Sequence, residues 1–281
     1  MNNWILLTFI YAILGGLFQT ANKKALEKNS VLEILGTFSL LSLILISFIS
    51  KNIFKIELIY LLGIFIKSSV MVLTLILNLY AVKRVSLSKY GIIHLSRVVF
   101  SVLLSIIILK ETLTIPIITG IGLVVFGLYM VNNVSKKDEH PSPFKYDIIL
   151  LVACFLNSVS AILDKTLLKH VTNSQLQFWY MLFLTLIYWT IILVKKQKIH
   201  IKTIKKNYWI FIMTLILITG DKIIFIANSI PESQVSVMTI IKQFTAIETI
   251  LLGKLLYKEK NTIKKILWSL LIIIGIILTI L

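Results

Sequence analysis

The chain alternates long apolar runs with short polar breaks. Hydropathy divides it at roughly 4–21, 31–49, 57–82, 86–109, 115–133, 146–163, 175–194, 208–229, 235–256 and 263–281. At about 1.5 Å of rise per residue, each run is long enough as a helix to cross a hydrocarbon layer about 30 Å thick. No water is available in that layer to satisfy a free backbone N–H or C=O, so a spanning segment is either a helix or part of a closed barrel. The strict in–out alternation of a barrel is absent. The pattern therefore predicts an all-α membrane protein with ten transmembrane helices.

The polar breaks divide the ten runs evenly. The stretch from Asn132 to Tyr146 carries Lys136-Lys137-Asp138-Glu139-His140 and Pro141-Ser142-Pro143, and it separates five runs from five. A second polar loop, Lys195 to Asn207, is rich in lysine and reads as a solvated loop facing the headgroups. The halves also resemble each other. Leu109-Lys110-Glu111-Thr112 closes the fourth run and Tyr257-Lys258-Glu259-Lys260 the ninth. Asn22-Lys23-Lys24-Ala25-Leu26 closes the first, and Leu163-Asp164-Lys165-Thr166-Leu167 the sixth. A shift of about 141 to 148 residues superimposes both pairs. The expected organisation is a five-helix repeat over 1–133, a polar linker over 134–145 and a second five-helix repeat over 146–281. Because five is odd, the second repeat enters the membrane inverted. Inverted repeats recur in secondary transporters, with the ligand near mid-membrane between them.

Composition supports this picture. Hydrophobic residues make up 58% of the 281 and charged residues 15%, with a mean hydropathy of +0.94, whereas a soluble domain carries about 25% charged residues. The net charge of +17 raises the question of nucleic acid. The lysines and arginines, however, lie in short loops at membrane boundaries, where anionic headgroups are the natural counter-ions, so nucleic acid is not expected as a partner. The odd-numbered loops hold most of this charge. The positive-inside tendency puts them in the cytoplasm and both termini outside. Cys154 is the only cysteine, which excludes an internal disulfide and a cysteine metal cluster, and its apolar run makes it a packing residue. No positively charged segment precedes the first run at Trp4, which argues against a cleaved signal peptide. Heavy use of Ile, Lys and Asn points to an AT-rich bacterium, and so to a multi-pass protein of the cell membrane.

The five-plus-five layout, Glu111 and Glu259 closing the fourth helices, and Lys24 and Lys165 closing the first helices together resemble the drug/metabolite transporter superfamily, in its ten-helix EamA-like branch. The resemblance covers nearly the whole chain. It implies a carrier of small organic molecules, with a cavity lined by helices one, three and four of the first half and six, eight and nine of the second. It also implies cytoplasmic termini, against the loop charges. Leu14-Gly15-Gly16 stands where the family often has Trp-Gly.

Polar residues inside the runs are the candidate chemistry, because a charge at mid-bilayer costs roughly 2.5–3.5 kcal/mol on insertion scales and normally faces a protein interior. Tyr60, Lys67, Met71, Thr74 and Asn78 share one face of the third run; Ser86, Tyr90, His94, Arg97, Ser101 and Ser105 share one face of the fourth. The eighth run contains Asp221 and Lys222. The ninth has Gln234, Met238, Lys242, Thr245 and Thr249 along one face, with Glu248 beside it. The shift that aligns the halves pairs His94 with Lys242. Lys67 and Lys222 have a bland reading as snorkelling side chains, and Lys242 with Glu248 as a structural pair. Arg97 lies far from both ends of its run, and no acid on its own helix reaches it.

Counted this way, the interior leans positive. The expected substrate is a small organic solute that is anionic or bears an anionic group, since Arg holds a carboxylate or phosphate through paired hydrogen bonds. Lys67, Asn78, Tyr90, His94, Arg97 and Lys242 are the expected binding residues, with Asp221 and Glu248 as proton-coupling or ion-pairing groups. The alternative is a proton-coupled exporter of amphipathic organic cations working through Glu248 and Asp221. A membrane enzyme is disfavoured because His140, His170 and His200 lie in loops without ligand spacing. No phosphate-cradling Gly-rich loop suggests ATP, and no cofactor is implied. A homodimer is left open, because lipid-facing and partner-facing helix surfaces are equally apolar.

Overall fold

The four prolines avoid the middles of the apolar runs: Pro116 opens the fifth, Pro141 and Pro143 lie in the central linker, and Pro231 lies between the eighth and ninth. No ring therefore interrupts a spanning hydrogen-bond ladder. The computed structural model describes residues 3–49, 53–85, 93, 94, 96–136, 144–257 and 262–280. Among them every regular element is a helix. In order they are α1 (Asn3–Leu26), α2 (Val31–Ile49), α3 (Leu58–Val82), α4 (Ser96–Leu104, continued by a π-helical turn over Ser105–Leu109), α5 (Ile115–Lys136) and α6 (Phe144–Leu167). There follow α7 (Asn173–Val194), the short α8 (Ile201–Lys206), α9 (Tyr208–Ser229), α10 (Val235–Ile241), α11 (Phe244–Tyr257) and α12 (Thr262–Ile280).

Six of these, α1, α2, α3, α6, α7 and α9, are long and apolar enough to cross a membrane. Shorter apolar stretches cover Ser96–Leu109, Ile115–Gly127 and Ile266–Leu278. Large apolar side chains such as Leu62, Phe65, Ile66 and Leu73 on α3 point outward. An exposed belt of this kind suits a hydrocarbon surround and would be costly in water.

Two helix starts use the same chemistry. At α7 the Thr172 hydroxyl accepts from the Gln175 N–H at 3.3 Å, while the Gln175 carbonyl oxygen accepts from the Thr172 N–H at 2.9 Å. At α2 the Ser30 hydroxyl accepts from the Glu33 N–H at 3.4 Å, and the Glu33 carboxylate accepts from the Ser30 N–H at 2.8 Å. Each reciprocal pair satisfies two orphan donors of a first turn. Glu33 also receives the His200 N–H at 2.9 Å, and Asn207 donates to the carbonyl of Ala25 at 3.0 Å. The Lys195–Asn207 loop is thereby fastened to the α1–α2 corner, while Lys195, Lys196, Lys198, Lys202, Lys205 and Lys206 stay exposed, as expected of a solvated loop.

The most extensive packing joins α1 to α9 and α11, α6 to α3 and α4, α2 to α7, and α5 to α12; α3 on α7 and α2 on α9 complete the bundle. Exchange α1 with α6, α2 with α7, α3 with α9, α4 with α10 and α11, and α5 with α12, and this set of contacts maps onto itself.

Two departures from the hydropathy reading bear on the site. The sixth run, bounded at 163 in sequence, continues helically through Leu167, so that Asp164 and Lys165 lie inside the fold and not at its edge. The ninth run breaks at Lys242 and Gln243, which form a turn between α10 and α11. The Gln243 N–H reaches the Ile240 carbonyl at 2.9 Å, and the Thr245 N–H the Lys242 carbonyl at 3.1 Å. These tight bonds keep the backbone satisfied across the break.

Candidate functional site

The α1 helix supplies one wall of a central cavity through Tyr11, Leu14, Gly15, Phe18 and Gln19, all on one face. Met71, Leu75 and Asn78 come from α3, Asn157 from α6, Tyr180 from α7, and Ile216, Leu217, Gly220 and Asp221 from α9. His94, Arg97, Lys242, Gln243 and Thr245 complete a space of about 150 Å³. A deeper recess of about 50 Å³ shares Tyr11, Met71, Arg97, Asn157, Tyr180, Asp221 and Lys242 with it and adds Lys67, Asp164, Phe225 and Asn228. On the other side, a third pocket shares Phe18, Gln19, Leu75 and Asn78 and continues to Asn22, Val82 and Met213. The three follow one another from the N-terminal half of α3 towards its C-terminal end.

Close approach of α1 to α11 depends on Gly15 and Gly16. The Thr245 hydroxyl donates to the Ala12 carbonyl at 2.7 Å. A methyl group at Gly15 would lie 2.8 Å from that hydroxyl, and one at Gly16 would overlap the Glu248 carboxylate. The Gly-Gly pair that departs from the family's Trp-Gly pattern thus has a packing role.

The helix-four face serves two purposes. His94 and Arg97 line the cavity, and the Nε of Arg97 is buried without a hydrogen-bond partner among the described residues. Ser101 instead donates to the Ser158 hydroxyl at 3.1 Å, and Ser158 sits 3.2 Å from the Arg97 carbonyl, so these serines join α4 to α6. Lys242 is 8% exposed and sits at the helix break, its ammonium 5.0 Å from the centre of the Tyr11 ring. Among the described residues neither Arg97 nor Lys242 forms an ion pair with a carboxylate. Asp221 shares the cavity, with its Oδ2 buried and without a hydrogen-bond partner among the described residues.

Lys67 is in a different situation. Its ammonium lies 3.0 Å from Asp164 Oδ1, and the Lys67 side chain is 2% exposed. The same ammonium stands 3.4 Å from the centre of the Tyr180 ring and 4.6 Å from that of Phe225. Lys165, the next residue on α6, is fixed by donating to the Ile230 carbonyl at 2.8 Å and the Ser233 hydroxyl at 2.6 Å. Nearby, Glu111 receives the Val235 and Ser236 N–H groups at 2.7 and 3.1 Å and the Ser236 hydroxyl at 2.6 Å. It thus caps the N-terminus of α10. The π-turn and the left-handed Lys110, φ 55°, aim it there.

Of the residues singled out in sequence, Asn78, His94, Arg97, Asp221 and Lys242 share the main cavity, and Lys67 lies in its deep recess. Glu248 packs against Gly16 outside the lining. Lys222 is half-buried on α9. Tyr90 and Glu259 lie outside the described residues. The interior charge count omitted Asp164, because hydropathy treats an acid near the end of a run as its boundary; with it included, one lysine is already neutralised. Tyr11 and Asn157 were also passed over. The i, i+4, i+7 spacing of Tyr11, Gly15 and Phe18, and the position of Asn157 in the middle of an apolar run, were the available signals.

The model of the EamA-like transporter family matches the chain twice, over residues 2–133 and 144–281. No curated protein is significantly similar in sequence. Among solved structures, one titled only "Crystal structure of protein" superimposes with a TM-score of 0.74, covering 98% of this chain and 95% of the other at 11% identity. At that identity the likeness speaks for the fold.

Proposed function

Because the chain belongs to the EamA-like transporter family, and is thereby a multi-pass membrane protein of a transporter family, we propose that it is a secondary transporter of a small organic solute bearing an anionic group. Solute passes by alternating access through the cavity between two inverted five-helix repeats, ten helices in all, in a bacterial cell membrane. The repeat reading is supported by the double family match, by helix contacts that survive exchange of the halves, and by the matching start motifs of α2 and α7. It assigns 1–133 and 146–281 to the repeats and 134–145 to the linker.

The observation that carries the anionic preference is a pair of cations in the cavity lining. Arg97 and Lys242 both line the cavity, and among the described residues neither forms an ion pair with a carboxylate. A guanidinium with an unused donor, inside a space of small-molecule size, is the arrangement that captures a carboxylate or phosphate in a low dielectric. Asn78 and His94 add hydrogen-bonding groups along the same lining. Lys67 acts one step away, at the deep end. Tyr90 belongs to the same helical face as His94 and Arg97 in sequence. Asp221 and Glu248 are the groups available for proton coupling.

The test is competition in proteoliposomes. Uptake of a labelled organic anion should saturate and be suppressed by other small organic anions, while organic cations of equal size have no effect. Suppression by amphipathic cations instead, together with dependence on a proton gradient, would establish the cation-exporter reading.

A further inference from the structure

At the deep end of the cavity the Lys67 ammonium is surrounded as a ligand would be. The face of Tyr180 lies 3.4 Å away, the face of Phe225 4.6 Å away, and the Asp164 carboxylate 3.0 Å away. Two aromatic faces around one carboxylate form the usual recognition chemistry for an organic ammonium: the ring quadrupoles attract the cation and the carboxylate neutralises it. The two rings are buried against each other. Tyr180 and Phe225 are each 2% exposed and pack edge to face, with centroids 6.4 Å apart. Lys67 comes from α3, Asp164 from α6, Tyr180 from α7 and Phe225 from α9, so the cage joins four helices.

We propose that Tyr180, Phe225 and Asp164 form a primary-ammonium binding site that the protein keeps occupied with its own Lys67, and that this tethered occupant bars small organic cations from the deep end of the cavity. The cage is continuous with the main cavity, sharing Tyr180, Asp221 and Lys242 with it. A small amine entering the cavity would therefore reach it once Lys67 were shortened. The proposal deepens the transporter reading by giving a cause for cation exclusion, but the cage itself is independent of what the protein carries.

Truncating Lys67→Ala removes three methylenes and an ammonium, the size of n-propylammonium, and leaves Asp164 buried beside two rings without its partner. Thermal unfolding of the purified full chain in detergent is the readout. Lys67→Ala should unfold below wild type, and saturating n-propylammonium chloride should raise its Tm by about 5 °C. Equal sodium chloride or sodium propionate should not. Wild type should not respond to the amine, because the site is filled, nor should Lys67→Ala/Asp164→Asn/Asp221→Asn, because both carboxylates lining the recess are then neutral. An equal response in all three proteins, no amine response of Lys67→Ala, or its failure to fold with and without the amine would each overturn the proposal. Since no transport is measured, these outcomes leave the anionic-substrate reading to its own test.

Discussion

Lys67 and Lys242 are both buried lysines, 2% and 8% exposed, yet their surroundings are opposite. Lys67 is enclosed by a carboxylate and two ring faces contributed by other helices, so its charge is satisfied within the protein. Lys242 stands at a break in its helix, beside Tyr11 and in the same lining as Arg97, with no ion pair to a carboxylate among the described residues. A buried charge that the protein neutralises contributes to architecture, whereas one left open is available to a partner from outside. The contrast therefore separates a structural cation from ligand-seeking ones, although hydropathy registers both as the same letter inside an apolar run.

Removing Asp164 tests the contrast most severely. Asp164→Ala strands the Lys67 ammonium and should destabilise the protein by about 3–5 kcal/mol, seen as a large fall in the unfolding midpoint. Lys242→Ala should cost less, about 1 kcal/mol, because it breaks no direct ion pair among the described residues. Equal losses for the two variants would erase the distinction. At Arg97 the effect moves from stability to function. Arg97→Gln should lower uptake of an anionic substrate by about 30-fold, the equivalent of about 2 kcal/mol lost at a charged contact, with little change in midpoint. Unchanged uptake would remove Arg97 from the binding wall. Gly16→Val drives a side chain into Glu248 and should cost about 1–3 kcal/mol by overpacking the α1–α11 contact beside the open lysine. A comparably small effect is expected at the N-terminus of α10, where Glu111→Ala removes the cap at a cost of about 1 kcal/mol, detectable as faster amide exchange at Val235 and Ser236.

Much of the fold was readable because a spanning helix needs a length of apolar sequence and little else. The predicted run 31–49 coincides with Val31–Ile49, and 208–229 with Tyr208–Ser229. The first and sixth helices outrun their hydropathy bounds. Their extensions beyond those bounds carry Asn22, Asp164 and Lys165, which are buried inside the fold and not exposed at a boundary. Hydropathy scores a residue by its affinity for lipid and cannot register a partner three helices away, so the Lys67–Asp164 pair was invisible. The break at Lys242 was hidden for a related reason. Neither proline nor glycine stands at Lys242 or Gln243, and the turn is held by backbone bonds that any sequence could make. The face carrying His94 and Arg97 was legible because its spacing is helical and its residues are costly in lipid.

Charge-selective labelling inside the cavity tests the central claim without knowledge of the substrate. In a Cys154→Ser background, which removes the one native thiol, Asn78→Cys places a thiol in the lining shared with Arg97 and Lys242. The account predicts that a sulfonate-bearing methanethiosulfonate reacts at least about tenfold faster than its trimethylammonium counterpart after correction for intrinsic reactivity, and that Arg97→Gln/Lys242→Gln abolishes the difference. Equal rates, or faster modification by the cationic reagent, would contradict an anion-seeking cavity.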